Sequence, residues 1–191
     1  MAYNNPNIMD KIFEPVFGLF YSSRYSSFIR YMDIAGTENI FEFGCGSGQL
    51  TRRLARRLEG GGHITSIDIA PYWIGKMRKK LGAESRVTII LGDLLGIDPG
   101  KGQYDLVFVH YVLHDIARFN RYAYVVALSS LLREGGRLCI CEPTKASHGM
   151  PAFEIRDLME KCGLEKRDSG YGINGVKSDF SATFVRPAQK S

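Results

Sequence analysis

A chain of 191 residues, 45% of them hydrophobic, is long enough to bury one substantial core and short for two full domains. Its net charge is +5, and its four cysteines, Cys45, Cys139, Cys141 and Cys162, form no C-x-x-C pair; they read as reduced, buried thiols, and no metal is expected. No stretch reaches the length of a membrane span, and Asp10, Lys11, Glu14 and Pro15 interrupt the early apolar residues, which argues against a signal peptide and for a cytoplasmic protein.

In chain order, residues 1–7 are expected to be disordered. From Met9 to Met32, Phe13, Phe17, Phe20, Tyr21, Tyr25, Phe28 and Met32 recur three and four apart, describing one or two amphipathic helices with Pro15 and Gly18 as breaks. Three readings of this aromatic segment stand: core packing, a cap over an active site, or contact with lipid. The division drawn is an N-terminal helical cap over 1–38 and one globular domain over 39–191.

Phe41 to Thr51 (FEFGCGSGQLT) is a short apolar strand entering a loop with Gly44, Gly46 and Gly48 at alternate positions. Leu50, Leu54 and Leu58 then recur at helical spacing, so the loop opens a helix whose unpaired N–H groups suit an anionic group. A dinucleotide fingerprint requires a sixth-position glycine, and that position is Gln49. Arg52, Arg53, Arg56 and Arg57 lie between the leucines; they form either a solvated face or a footprint for nucleic acid.

Gly60-Gly61-Gly62 stops the helix, and His63 to Asp68 is a second strand ending in a carboxylate. A helix follows from Pro71 to Lys80, then strands over Arg86–Leu91, closed by Gly92-Asp93, and Gln103–Val109, closed by the patch His110 to Asp115. A helix over Phe119–Arg133 is predicted to end at Gly135-Gly136, with a fifth strand over Arg137–Glu142. A helix over Pro151–Cys162 and two β-like segments, Leu164–Gly170 and Asp179–Val185, complete the chain. Strands alternating with helices predict a mostly parallel sheet covered on both faces, and an acid at the end of the second strand can accept both ribose hydroxyls.

Five ordered motifs resemble the class I S-adenosylmethionine-dependent methyltransferases: Glu42 with Gly44, Gly46 and Gly48; Ser66-Ile67-Asp68-Ile69; Leu91-Gly92-Asp93-Leu94; Tyr104-Asp105-Leu106-Val107; and Leu131 through Leu138. The resemblance covers about Ile40 to Arg186. It implies a Rossmann-like, doubly wound α/β fold with a seven-stranded, mostly parallel sheet whose last strand is antiparallel. It also implies S-adenosylmethionine as cofactor: the loop from Gly44 through Cys45, Gly46 and Gly48 holding the methionine part, with Glu42 near its amino group. Asp68 and Ile69 would take the ribose, Asp93 and Leu94 the adenine, and His110 completes the cofactor set.

His110, Tyr111 and His114 are the candidate catalytic groups, with Tyr21, Tyr25 and Glu142 as candidate substrate contacts. For His114 two readings stand, a base or orienting donor and a buried histidine capping the next helix. Cys45 occupies a position where a small side chain suffices, and no nucleophilic role is expected. The fourth-strand motif lacks the Asn-Pro-Pro-Tyr type of signature, which lowers one nucleic-acid reading. The expectation is direct in-line methyl transfer to a small molecule, lipid-like or quinone-like; the rivals are an RNA methyltransferase using Arg52 to Arg57 and a cofactor-binding module without turnover.

Overall fold

The computed structural model describes residues 22–145 and 147–188. The expectations for residues 1–21, Tyr21 among them, lie outside the described residues. Seven strands form one sheet: β1 (Asn39–Phe43), β2 (His63–Asp68), β3 (Val87–Leu91), β4 (Tyr104–His110), β5 (Leu132–Pro143), β6 (Glu165–Tyr171) and β7 (Asp179–Val185), ordered β3-β2-β1-β4-β5-β7-β6. The pairs β1–β2, β2–β3, β1–β4 and β4–β5 are parallel, and β7 runs antiparallel to both β5 and β6. This is the expected doubly wound sheet. The strand order reverses between β1 and β4, where such sheets bind ligands.

Among the described residues, five α-helices cover the two faces: α1 (Ser22–Met32), α2 (Gln49–Ala55), α3 (Pro71–Leu81), α4 (Arg118–Leu131) and α5 (Ala152–Lys161). The period-2 alternation of the strands decides which core each residue joins. Phe41, Phe43, Val107 and Val109 point toward α4 and α5 and pack with Val125, Leu128, Ile155 and Met159. Ile40, Leu106 and Phe108 point the other way and meet Phe28, Ile29 and Met32 of α1 and Leu50 and Leu54 of α2. Cys139 and Cys141 share that second face, and all four thiols are free.

The fifth strand begins earlier than its sequence suggests. Gly135-Gly136 does not separate helix from strand; β5 starts at Leu132, and the pairing with β4 shifts register between Tyr104 and Leu106. The glycines form an irregularity inside the strand, where Gly135 N–H donates to Arg186 O (2.9 Å) and Arg186 N–H to Gly136 O (2.9 Å). Edge strand β6 is exposed and carries Glu165, Lys166, Arg167 and Asp168, charges that discourage pairing with another chain.

Gly48 is required by packing. It has φ 75, and a Cβ there would stand 2.7 Å from Met77 Cγ on α3. Gly48→Ala is expected to lower the unfolding free energy by about 2 kcal/mol, from left-handed strain plus overpacking. The loss in the Gly48→Ala/Met77→Ala double variant should fall short of the sum of the two single losses, as read by chemical denaturation.

Candidate functional site

The loop between β1 and α2 is held by β2. Gly44 and Cys45 donate their N–H groups to Ile67 O (2.9 and 3.0 Å), and Gly46 N–H donates to Asp68 Oδ2 (2.8 Å). Asp68 Oδ1 accepts from Ala70 N–H (2.8 Å), so one carboxylate ties the glycine loop to the start of α3. Burial pushes the Asp68 carboxyl upward in pKa, against these backbone donors, which pull it down. Ile69, beside it, is largely exposed. Gly46 differs from Gly48: at φ 53, a Cβ on it would meet nothing within 4 Å. The backbone there is left open to a ligand.

A cleft of about 170 Å³ opens beside this loop, lined by Glu42, Phe43, the residues from Gly44 to Ser47, His110, Tyr111 and, from α1, Tyr25. Glu42 is 2% exposed. Its Oε2 accepts from Thr51 Oγ1–H on α2 (2.5 Å) and Ser66 Oγ–H on β2 (2.6 Å). Burial outweighs these donors and pushes its pKa up to about 7. A cation placed in the cleft therefore stabilises the charged carboxylate; the ammonium of a bound S-adenosylmethionine is such a group, and the open backbone at Gly46 fits a close-lying ligand. Cys45 is buried, its thiol pKa is raised well above the ordinary value by burial, and it packs with Ile74, Met77 and Leu81.

The far wall is aromatic. The His110 ring lies 5.5 Å from Tyr25, 5.1 Å from Phe28 and 4.3 Å from Tyr111, centroid to centroid. Its Nε2 is buried with no hydrogen-bond partner among the described residues, and burial lowers its pKa to about 4. Tyr111 has φ 58, a conformation sparsely used by non-glycine residues. It is fixed by its N–H to Cys141 O (2.9 Å) and by its hydroxyl, which bonds Asp179 and accepts from Asn174 Nδ2 (2.9 Å). Burial and the Asp179 contact raise its pKa further, so the phenol stays protonated.

Of the remaining candidates, Glu142 and His114 serve the framework. Glu142 is fully buried: Oε1 accepts from the N–H groups of Val112 (3.0 Å) and Leu113 (2.8 Å), and Oε2 bonds His114 Nδ1 (2.6 Å). It pins the loop after β4 and does not line the cleft. His114 thus stands behind the wall rather than in it. Asp93 accepts from Leu95 N–H (3.1 Å) and Tyr124 Oη–H (2.9 Å), and the Leu94 side chain packs in the main core. The four arginines differ in surroundings: Arg53 donates to Gln49 O (2.8 Å) and covers the Tyr25 ring at 5.2 Å, Arg52 and Arg56 join Lys80 around a separate cleft of about 430 Å³, and Arg57 is exposed. Sequence reasoning missed Asn174 and Asp179, which steer Tyr111 from the opposite end of the chain; no local pattern marks them.

A model of the family described as a methyltransferase domain matches residues 40–136, just over half of the chain. The chain is 39% identical over 102 residues to the biotin biosynthesis bifunctional protein BioCD of Bordetella avium, covering 53% of this chain and 21% of that one. It is 30% identical over 145 residues to malonyl-[acyl-carrier protein] O-methyltransferase 1 of Ilyobacter polytropus, covering 74% and 48%. The chain thus spans less than half the length of these two relatives. In fold it is similar to the N-methyltransferase NodS of Bradyrhizobium japonicum, solved with S-adenosyl-L-homocysteine: TM-score 0.70, 21% identity, 86% of each chain covered. A TehB-like S-adenosylmethionine-dependent methyltransferase of Corynebacterium glutamicum gives 0.71 at 19% identity, covering 86% and 87%.

Two outcomes follow from the buried acids. Glu42 has its folded pKa raised from 4.5 to about 7, so its favourable contribution is complete below its unfolded value and disappears as pH rises through 7. Relative to Glu42→Gln, the unbound wild type should lose up to about 3 kcal/mol between pH 4.5 and 8 in denaturation series. Glu142→Ala leaves two backbone donors unpaired and should lower stability by about 3 kcal/mol, measured in the same way.

Proposed function

Because this chain belongs to the methyltransferase-domain family, with the class I fold and S-adenosylmethionine as cofactor, we propose that it methylates a small-molecule acceptor whose attacking atom arrives already ionised or with a free lone pair. The observation that carries this reading is the chemistry of the cleft's far wall. His110, with a pKa of about 4, is neutral and a weak base at pH 7, and Tyr111 is a protonated phenol. Neither is matched to removing a proton from an alcohol at neutral pH. A carboxylate, an acidic phenol or an uncharged amine needs no such help.

When bound, the cofactor supplies an activated methyl group on a positively charged sulfur. The protein's part is to hold and to exclude. Glu42 would accept from the ammonium, the backbone from Gly44 to Ser47 would hold the methionine part, and Asp68 would accept from the ribose diol through lone pairs not engaged by Gly46 and Ala70. Asp93, at the next strand end, would receive the adenine amino group. Tyr25, His110 and Tyr111 close the opposite side of the cleft and would orient the acceptor's lone pair toward the methyl group. Positioning and water exclusion of this kind can supply on the order of 7 to 11 kcal/mol.

The acceptor classes of relatives support the choice: one relative's name specifies a malonyl-[acyl-carrier protein] and another, 33% identical over 106 residues in Xylella fastidiosa, ubiquinone biosynthesis. The inward turn of Arg53 removes one cation from the face that an RNA reading requires.

Incubation with methyl-labelled cofactor and separate carboxylate, phenol, amine and aliphatic alcohol panels tests the proposal: label in the first three is expected, and label confined to alcohols overturns it. With the acceptor found, kcat should be flat from pH 6 to 8 and fall in His110→Asn without a new inflection. Asp68→Ala should weaken S-adenosylhomocysteine binding by about ten- to hundredfold in calorimetry, while unchanged affinity would remove Asp68 from the ribose site.

A further inference from the structure

We propose that His114, Asp115 and His148 form a binding site for one divalent transition-metal ion, at the surface junction of the loop after β4 and the loop after β5. The three donor atoms, one from each residue, lie within 4.8 Å of one another. His114 Nε2 is 3.4 Å from Asp115 Oδ1, and His148 Nε2 is 3.7 Å from the same oxygen. Ligands on a tetrahedral ion with bonds of about 2.1 Å stand about 3.4 Å apart, so two edges of such a site are nearly in place. The third edge closes by rotation of His148, whose side chain is 71% exposed. The two imidazoles meet edge to face, with centroids 5.0 Å apart.

A second observation points the same way. The Glu142 carboxylate receives His114 Nδ1 at 2.6 Å, from a fully buried position that is itself fixed by the N–H groups of Val112 and Leu113. With Nδ1 donating to Glu142, Nε2 is the nitrogen that faces Asp115, and an ion would take the place of any proton there. A carboxylate behind the remote nitrogen of a ligating histidine is the usual device for fixing the tautomer and raising basicity toward a metal. His114 is therefore aimed before any ion arrives.

The donor set selects the ion. Two imidazoles and one carboxylate suit zinc, cobalt, nickel or iron(II) over magnesium or calcium, which favour all-oxygen surroundings. Asp115 and His148 are both open to solvent, leaving room for a fourth ligand. The His114 ring stands edge-on to Tyr111, with centroids 6.4 Å apart, and Tyr111 lines the cofactor cleft. An ion here ties together two loops behind the acceptor wall and shares no residue with the Glu42 and Gly46 side of the cleft. The inference does not rest on the acceptor class.

The test is cobalt(II) titration of the full chain after dialysis against a chelator, followed by visible absorption. One equivalent should give the intense bands of a low-coordinate site, and zinc should displace them. His148→Ala and Asp115→Asn, both solvent-facing, should each weaken binding at least about tenfold. His63→Ala, at a histidine whose ring bonds Thr88 instead, should leave it unchanged. Thermal unfolding and S-adenosylhomocysteine binding on the same samples report separately on fold and cofactor site. A weak, octahedral cobalt spectrum, or affinity unaltered in both His148→Ala and Asp115→Asn, overturns the site.

Discussion

The cleft exists because carboxylates at the ends of the strands accept hydrogen bonds from loops that the sheet cannot satisfy. Where a parallel strand ends, the following N–H groups lose their ladder partners, and a buried unpaired donor is costly. Asp68 takes the N–H groups of Gly46 and Ala70, Glu142 those of Val112 and Leu113, and Asp93 that of Leu95. Each acid thereby fixes a loop that forms or supports a wall. Glu42 does the same work between elements, drawing the Thr51 hydroxyl of α2 and the Ser66 hydroxyl of β2 onto one oxygen.

This arrangement makes binding and stability depend on the same groups. Asp68, proposed above as the ribose acceptor, also holds the glycine loop in shape, so its removal would disturb both that contact and the surface that presents it. Glu42 carries the sharper tension. A carboxyl pushed up to about 7 is unfavourable as an anion in the unbound protein, and that cost is relieved by a cation in the cleft. In the proposed reading, cofactor affinity and the pH dependence of stability are linked through this one proton.

Much of this architecture was legible in the chain because it depends on local signals. Alternation in IFEF and DLVFVH fixed two opposing faces, and the glycine spacing with Asp68 one strand away located the loop and its anchor; the 2.8 Å contact between Gly46 and Asp68 joins them. What stayed hidden depends on distant partners. Gly135-Gly136 reads as a helix stop, yet pairing with Arg186, fifty residues on, draws both glycines into β5. Glu142, at the end of the fifth strand, reads as a substrate contact, and only the folded loop after β4 brings the N–H groups of Val112 and Leu113 onto it. His148 carries no periodicity at all; its place beside His114 follows from the path of the loop after β5.

The aromatic N-terminal segment gains a meaning that periodicity alone could not give it. Tyr25 and Phe28 of α1 pack on the His110 ring, and burial of that ring is the chief reason its pKa lies near 4. An imidazolium at this position would repel a positively charged cofactor across the same cleft, at a Coulombic cost of a few kcal/mol for neighbouring charges near a protein surface. A neutral ring, together with Tyr25 and Tyr111, instead presents π faces that favour a cation. Helix α1 therefore acts on the charge of the cleft as well as on its shape: by keeping water from His110 it keeps that wall uncharged, and Glu42 across the cleft is left to set its polarity.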